Sequence, residues 1–391
     1  MTIPVMRPWL GEAEAQAAAE TIASGWLAQG PRVVEFETAF AAAIGTGHAV
    51  AVSSCTAALH LALIARGIGT GDEVVVPSLS FIATANAVRY VGAQPVFADV
   101  DETTQNLTPH TVAPCLTSRT RAVILVDQAG VPADLDGMLG LCGPQGIDVI
   151  EDAACAAGSF YRGRPVGATA ALAAFSFHPR KLLTTGEGGM VVTHDGDVAT
   201  RLRRLREHGM NVSAAERHAS AQPVIERYLE SGFNYRMTDI QAAIGLVQLG
   251  RLEALVARRR ALAERYQEML ADIPGLVTIR DPHQASDPPG ACYGTTNYQA
   301  FWVLLPPDFP VGRDELLRML SDAGVSARRG IMAAHLEPAY EREAHAPLPV
   351  TERLTGDSLI LPLFHELTQA QQEHVVSVIK VAAGRQPAVP V

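Results

Sequence analysis

Between Ala49 and Thr193, short apolar runs of strand length alternate with segments whose apolar residues recur at helical spacing. The strand-like runs are Ala49 to Ser53, Glu73 to Pro77, Gln94 to Ala98, Ala122 to Val126, Asp148 to Ile150, Leu172 to Phe177 and Met190 to Thr193. The helix-like ones include the segment from Ala57, Ala83 to Val91 and Leu135 to Leu141. Strands separated by helices predict an α/β fold, a mostly parallel sheet with helices on both faces. In such sheets ligands sit at the carboxyl ends of strands, where this chain places Ser80-Phe81, Glu151-Asp152, Ser176 and Lys181.

The flanks add helices. Residues 12–23 and Val33 to Ile44 read as two, ended by Gly25 and Gly45, and an arginine-rich one spans Val198 to His208. Thr238-Asp239 caps what reads as one long helix to about Leu270, with Arg258 to Arg260 as its solvated face. Residues 273–296 are rich in Pro, Gly, Asp and Ser. The expected division is a large domain over 1–270 and a smaller α+β domain over 271–391. In the latter, Asn297 to Leu305 reads as a strand, Arg313 to Gly324 as a helix, Val325 to Ile331 as a strand or loop, and Gln369 to Ala383 as a helix. With 391 residues, 48% of them hydrophobic, the chain can bury a core of that size.

Charge and cysteine usage exclude whole classes. A net charge of −10 argues against nucleic acid or an anionic membrane as the main partner, since both demand surplus cations. The five cysteines, Cys55, Cys115, Cys142, Cys155 and Cys292, are odd in number and scattered, so neither a disulfide framework nor a metal site is expected. The N-terminus lacks the pattern of an export signal, and no apolar run reaches the roughly 18 residues of a membrane span. The expectation is a cytoplasmic protein.

The segment FSFHPRKLLTTGEGGMVVT, Phe175 to Thr193, carries the chemistry. A buried strand breaks at His178-Pro179, delivers Lys181, and passes through Gly186, Gly188 and Gly189 into a second strand. Of the 31 cationic side chains only Lys181 and Lys380 are lysines, and a GC-rich coding sequence accounts for most of that bias. Arginine stays protonated, whereas a desolvated lysine can lose its proton and attack a carbonyl to form a Schiff base. An aldehyde cofactor with a pyridine ring and a phosphate needs such a lysine, a carboxylate for the ring nitrogen, a flat side chain against the ring and donors for the phosphate. Asp152, at a strand end 29 positions before Lys181, supplies a carboxylate, although such residues are usually helix caps. Phe81 supplies a ring, although a lone Phe is usually core. The helix opening at Ser54-Cys55-Thr56 supplies N–H groups, although a hydroxyl there is usually only a cap.

Five motifs, SSCTAALHLAL, PSLSFIATANAV, EDAACAAGS, FSFHPRKLLTTGEGG and GFNYRMTDIQAAIG, occur in an order and spacing that resembles the pyridoxal-phosphate sugar aminotransferases of the DegT/StrS family, which have fold type I. SGWLAQGP and LPLFHELT extend the resemblance over nearly the whole chain. The resemblance implies that Lys181 holds pyridoxal 5′-phosphate through a Schiff base and then moves a proton between substrate and cofactor. Asp152 would pair with the pyridinium nitrogen and Phe81 lie against the ring. Thr56, Ala57 and Ser176 would bind the phosphate, and Asn234 would reach the phosphate of the neighbouring subunit's cofactor, which implies a homodimer with shared sites. The family commonly has Gln or His where Cys155 stands, near the cofactor's phenolic oxygen, and Gly where Cys55 stands, at the phosphate turn.

By the same resemblance, an amino donor, L-glutamate or glutamine, loads the cofactor as pyridoxamine phosphate, and a nucleotide-linked keto sugar accepts the amine. A keto-cyclitol is the close alternative. Arg328-Arg329 could meet a diphosphate, although such pairs are more often surface charge. A non-catalytic sensor would have favoured loss of Lys181 or Asp152, relatives that dehydrate carry His at the lysine, and a dehydrogenase would show G-x-G-x-x-G after its first strand. Acceptor specificity is expected in Met210 to Gln222 and Asp281 to Thr296.

Overall fold

The computed structural model describes residues 2–212, 222–282 and 293–384. Seven strands form the main sheet: β1 (His48–Val52), β2 (Glu73–Pro77), β3 (Gln94–Ala98), β4 (Thr120–Val126), β5 (Asp148–Asp152), β8 (Leu172–Ser176) and β9 (Gly189–Thr193), in the order β1-β9-β8-β5-β4-β2-β3. The pairs β3–β2–β4–β5–β8 are parallel, and β9 runs antiparallel to both β8 and β1. The expected α/β architecture is therefore present, with one reversed strand. That reversal follows from the short Lys181 loop, which returns the chain beside β8 with no crossover helix.

Alternate residues of each strand feed two cores. Ala49, Ala51, Val123, Leu125, Ala173 and Phe175 enter one, and Val50, Val52, Ala122, Ile124, Leu172 and Ala174 the other. Helix α2 (Pro31–Ile44) lies on the first face, and α3 (Cys55–Ala65) and α4 (Ala83–Tyr90) on the second, while α1 (Glu12–Ser24) packs on the helix that begins at Asp239. Phe36 and Phe40 of α2 meet Phe175 and Phe177 with centroids 5.1–5.4 Å apart, which fixes the end of β8. Each such pair adds about 0.5–1.5 kcal/mol beyond area burial. The short helices α5 (Pro109–Val112) and α6 (Leu135–Cys142) follow, with α7 (Gly196–Leu205) after β9.

The long helix expected from Thr238 to Leu270 is two helices, α8 (Asp239–Gly250) and α9 (Leu252–Leu270), which meet at 57°. Gly250 ends the first, and glycine is where helices bend most readily. Glu14 takes up the corner, accepting from Gln248 Nε2 at 2.7 Å and pairing with Arg251. The start of α8 is fixed by a capping box between Thr238 and Gln241. The buried carboxylate of Asp239 in turn caps α2, accepting from the N–H groups of Gly30, Arg32 and Val33 at 2.7–3.1 Å. No single helix among the described residues is long and apolar enough to cross a membrane.

A second, antiparallel sheet has the order β10-β12-β14-β13, from β10 (Val277–Thr278), β12 (Phe301–Leu304), β13 (Arg328–Arg329) and β14 (Ser358–Leu361). With it go α10 (Arg313–Asp322), α11 (Pro349–Asp357) and α12 (Gln369–Ala382). A small third sheet joins β6 (Phe160–Tyr161) and β7 (Arg164–Pro165) to β11 (Gly294–Thr295). The strand expected over Asn297 to Leu305 is confined to Phe301–Leu304. The preceding residues spend their hydrogen bonds elsewhere, as described below.

Candidate active site

Register places the site. Asp152, the last residue of β5, stands level with Val126 of β4 and Ala174 of β8, and Ser176 ends β8 opposite Gly189. The carboxyl ends of these parallel strands therefore gather around one cleft. The loop after β8 laces itself into shape: Lys181 N–H donates to His178 O at 2.8 Å, Thr185 N–H to Phe177 O at 3.0 Å and Thr184 Oγ1 to Phe177 O at 2.9 Å. This turn carries Lys181 back toward β5.

There Lys181 Nζ lies 3.0 Å from Cys155 Sγ. Burial opposes its charge, yet Cys155, Cys55 and Asp152 together outweigh burial and hold the ammonium above the ordinary lysine range. Asp152 is 4% exposed. Its Oδ2 accepts from Thr84 Oγ1 at 3.0 Å and its Oδ1 from Ala154 N–H at 3.2 Å, with Cys55 Sγ at 3.9 Å. Burial pushes the Asp152 carboxyl up, and the Thr84 and Ala154 bonds together with Lys181 offset part of that. The Cys55 thiol is pushed well up by burial and by the Asp152 charge.

Two more carboxyls lie behind this one. Glu151 is raised to about 7 by burial, with Oε2 lacking a hydrogen-bond partner. Asp127 is fully buried and raised further, by burial and by the Glu151 charge. Its Oδ1 accepts from Ala133 N–H at 2.8 Å, which anchors the loop after β4.

The α3 N-terminus stands beside Asp152 through Cys55. Ser54 Oγ caps it by accepting from Ala57 N–H at 3.1 Å, so that donor is already used, and those of Cys55 and Thr56 open the helix. Gly189 passes against this turn: a Cβ there would come within 2.5 Å of Ser54 C and 2.6 Å of Cys55 N. Only glycine allows β9 to approach so closely. Ser176 Oγ sits 3.5 Å from His178 N. Phe81, 69% exposed, precedes α4 and offers a bare ring face, while Ser80 Oγ lies 2.9 Å from Thr84 Oγ1.

The structure thus brings Cys55, Asp152, Cys155 and Lys181 together, with Thr56, Ala57 and Ser176 on adjoining turns. Asn234 is exposed and pairs through its backbone with Glu207, and no hydrogen bond or ion pair joins it to the Lys181 cluster. Thr84 escaped sequence reasoning, although a threonine at the second position of a helix that opens beside a strand end was a usable signal. Asn297, Gln299 and Arg259 gave none. Asn297 Nδ2 donates to Cys155 O and Ala157 O, both at 2.8 Å, and Gln299 Oε1 accepts from Leu182 N–H at 3.1 Å.

Arg258 to Arg260 form a solvated face only at Arg258, which is exposed. Arg259 is buried and donates to Tyr298 O, Leu363 O and Gln299 O at 2.7–2.9 Å, Arg260 pairs with Asp281 at 2.8 Å, and Arg258 reaches His365 O and Leu367 O. These guanidinium groups satisfy irregular backbone that packs against α9, where water would otherwise be needed.

A parallel sheet whose strand ends bring a half-buried lysine and a buried aspartate together beside a glycine-crossed helix start defines an aminotransferase of fold type I, the pyridoxal-phosphate-dependent class. The chain belongs to the DegT/DnrJ/EryC1/StrS aminotransferase family, whose model matches residues 8–380. Among solved structures it is similar to the aminotransferase TlmJ from Streptoalloteichus hindustanus, at 38% identity and TM-score 0.88 over 98% of this chain and 99% of that one. DesI, solved in the presence of its TDP-sugar product, is 33% identical with TM-score 0.87 over 98% of this chain and 93% of that one. Spr1654 from Streptococcus pneumoniae in its PLP form is 25% identical with TM-score 0.88 over 98% and 99%.

Proposed function

We propose that the chain transfers an amino group from L-glutamate or glutamine to a nucleotide-linked keto sugar. The observation that carries this reading is the gathering of one half-buried lysine and one buried aspartate at neighbouring strand ends, with Lys181 Nζ 3.0 Å from Cys155 Sγ and in the field of Cys55 and Asp152. The residues fit pyridoxal phosphate: an amine, a carboxylate fixed by Thr84 and Ala154, and helix-start N–H groups at Cys55 and Thr56. When bound, that cofactor supplies an aldehyde for the amine and an electron sink for the carbanion at the substrate carbon.

Within this reading Lys181 would hold the cofactor's aldehyde and would move a proton to and from the substrate carbon. Asp152 would pair with the ring nitrogen and keep a proton there, a role suited to a carboxylate whose remaining lone pairs are already bonded. Phe81 would lie against the ring, Ser176 with the α3 start would hold the phosphate, and Asn234, exposed and apart from its own cluster, would serve the neighbouring subunit's site in a homodimer. Arg328, which burial and the charge of Arg180 hold below the ordinary arginine range, joins Arg180 as a positive mouth suited to a diphosphate.

The loops named as specificity elements fall largely on 213–221 and 283–292, outside the described residues, as does Cys292. The test is amination of a panel of ketones by the loaded enzyme, read by mass spectrometry. A nucleotide-linked keto-deoxysugar should be aminated in preference to a free keto-cyclitol. Turnover of the cyclitol alone would overturn the substrate assignment.

A further inference from the structure

We propose that Gln299 is a positioning residue for Lys181, an assignment that rests on the aminotransferase reading. Its side-chain amide brackets the lysine in the chain: Oε1 accepts from Leu182 N–H at 3.1 Å, and Nε2 donates to Arg180 O. One partner is a donor and the other an acceptor, so only an amide in this one orientation satisfies both. The backbone on either side of Lys181 is thereby held by a residue 117 positions away from Leu182. The far end of the loop is tied by Gln241 Nε2, which donates to Glu187 O at 2.7 Å, whereas Gln299 holds the stretch that flanks Lys181.

Gln299 is itself fixed. Its N–H donates to Asn297 Oδ1 at 2.8 Å, and Asn297 Nδ2 bonds Cys155 O and Ala157 O. Asn297 fits because Gly130, at φ 89°, has no side chain; a Cβ there would lie 1.9 Å from Asn297 Oδ1. Tyr298 adopts φ 51°, in the left-handed region that a non-glycine residue occupies only when its surroundings compel it. The compulsion is Arg259, whose Nε and Nη2 take the carbonyls of Tyr298 and Gln299. Three consecutive residues therefore hold both members of the Lys181–Cys155 contact: Gln299 fixes the lysine's backbone and Asn297 that of the cysteine. The segment leads directly into β12, which couples the site to the second sheet.

The test compares Gln299→Met, of similar length but without polar atoms, with Gln299→Glu. Wild type and variants are saturated with pyridoxal phosphate and mixed with L-glutamate, and the loss of the cofactor's visible band is followed from pH 6 to pH 9. Borohydride trapping followed by peptide mass analysis gives the fraction of Lys181 joined to the aldehyde. Gln299→Met should slow the half-reaction on the order of 10- to 100-fold and lower the trapped fraction, with little change in the KM for glutamate. Gln299→Glu should be as slow as Gln299→Met near pH 8, where an ionised carboxylate faces Arg180 O, and, with the series extended down to pH 5, recover relative to wild type only as the pH nears the ordinary carboxyl value of about 4.3, where a protonated carboxyl can again donate to that oxygen and accept from Leu182. If Gln299→Met does not fold, the pH dependence of Gln299→Glu decides alone. Wild-type rates in Gln299→Met, or a Gln299→Glu profile parallel to wild type, overturn the assignment. A wild type that binds no pyridoxal phosphate overturns instead the functional reading on which it rests.

Discussion

Lys181 Nζ and Cys155 Sγ lie 3.0 Å apart, so the amine assigned to the Schiff base is held by sulfur until an aldehyde arrives. With its affinity for the proton raised, Lys181 is overwhelmingly an ammonium at neutral pH, and only the neutral amine can attack. The rate of pyridoxal phosphate loading onto cofactor-free protein should rise about tenfold per pH unit between roughly pH 7 and 9, as the neutral fraction grows. Cys155→Ala removes the largest interaction that favours the charge, so its loading curve should move to lower pH. Stopped-flow absorbance against pH reads both. A flat wild-type curve, or a variant curve displaced to higher pH, would contradict the arrangement.

Asp152 is exposed to change through a second side chain. Asp152→Asn removes the charge proposed to hold the ring-nitrogen proton and should lower kcat on the order of 10²-fold or more. Thr84→Val keeps the charge but deletes one bond to it, so about tenfold is expected, roughly 1.4 kcal/mol. Steady-state kinetics with glutamate check the ranking, and a Thr84→Val loss as large as that of Asp152→Asn would refute it.

Glu151 makes a prediction about stability alone. Its carboxyl is raised from 4.5 to about 7, so between those values the unfolded chain ionises while the folded one stays protonated, and folding weakens as pH rises through that window. Glu151→Gln removes the titration. Its stability relative to wild type should be higher at pH 8 than at pH 4 by on the order of 2–3 kcal/mol. Urea unfolding at the two pH values measures the difference, and an equal offset at both would rule the effect out.

Arg259 joins α9 to three backbone carbonyls and, among the described residues, has no carboxylate partner. Arg259→Met leaves those carbonyls buried without donors and should destabilise by about 3–5 kcal/mol, in line with the cost of stranding buried polar groups. Arg260→Met, which loses a half-buried pair with Asp281, should cost about 1 kcal/mol. Urea midpoints should separate the two variants, and equal midpoints would show that Arg259 is not the anchor.

Most of the main sheet was legible because its signals are local. Apolar runs at strand ends place Asp152 and Lys181 without reference to distant residues, and the glycine at 189 marks a close backbone approach. What stayed hidden lies in long-range pairings. Thr84 meets Asp152 across 68 positions, and Asn297 meets Cys155 across 142. Periodicity says nothing about either. Arg259 and Arg260 of α9 depart from the expected solvated face for a related reason: a run of charge reads as solvated, but irregular backbone packed on a helix needs donors, and arginine supplies several at once. The bend at Gly250 was missed because the helical pattern continues on both sides of it.

The central claim is that Lys181 forms a Schiff base with pyridoxal phosphate and passes through an amino-transfer half-reaction. It is tested most directly by the absorbance of the loaded protein before and after L-glutamate or glutamine, in wild type and Lys181→Ala. Wild type should show a visible band that the amino donor converts to the pyridoxamine form, and Lys181→Ala should fail to make that conversion. A band in wild type that neither donor shifts, or a Lys181→Ala variant that converts at the wild-type rate, would contradict it.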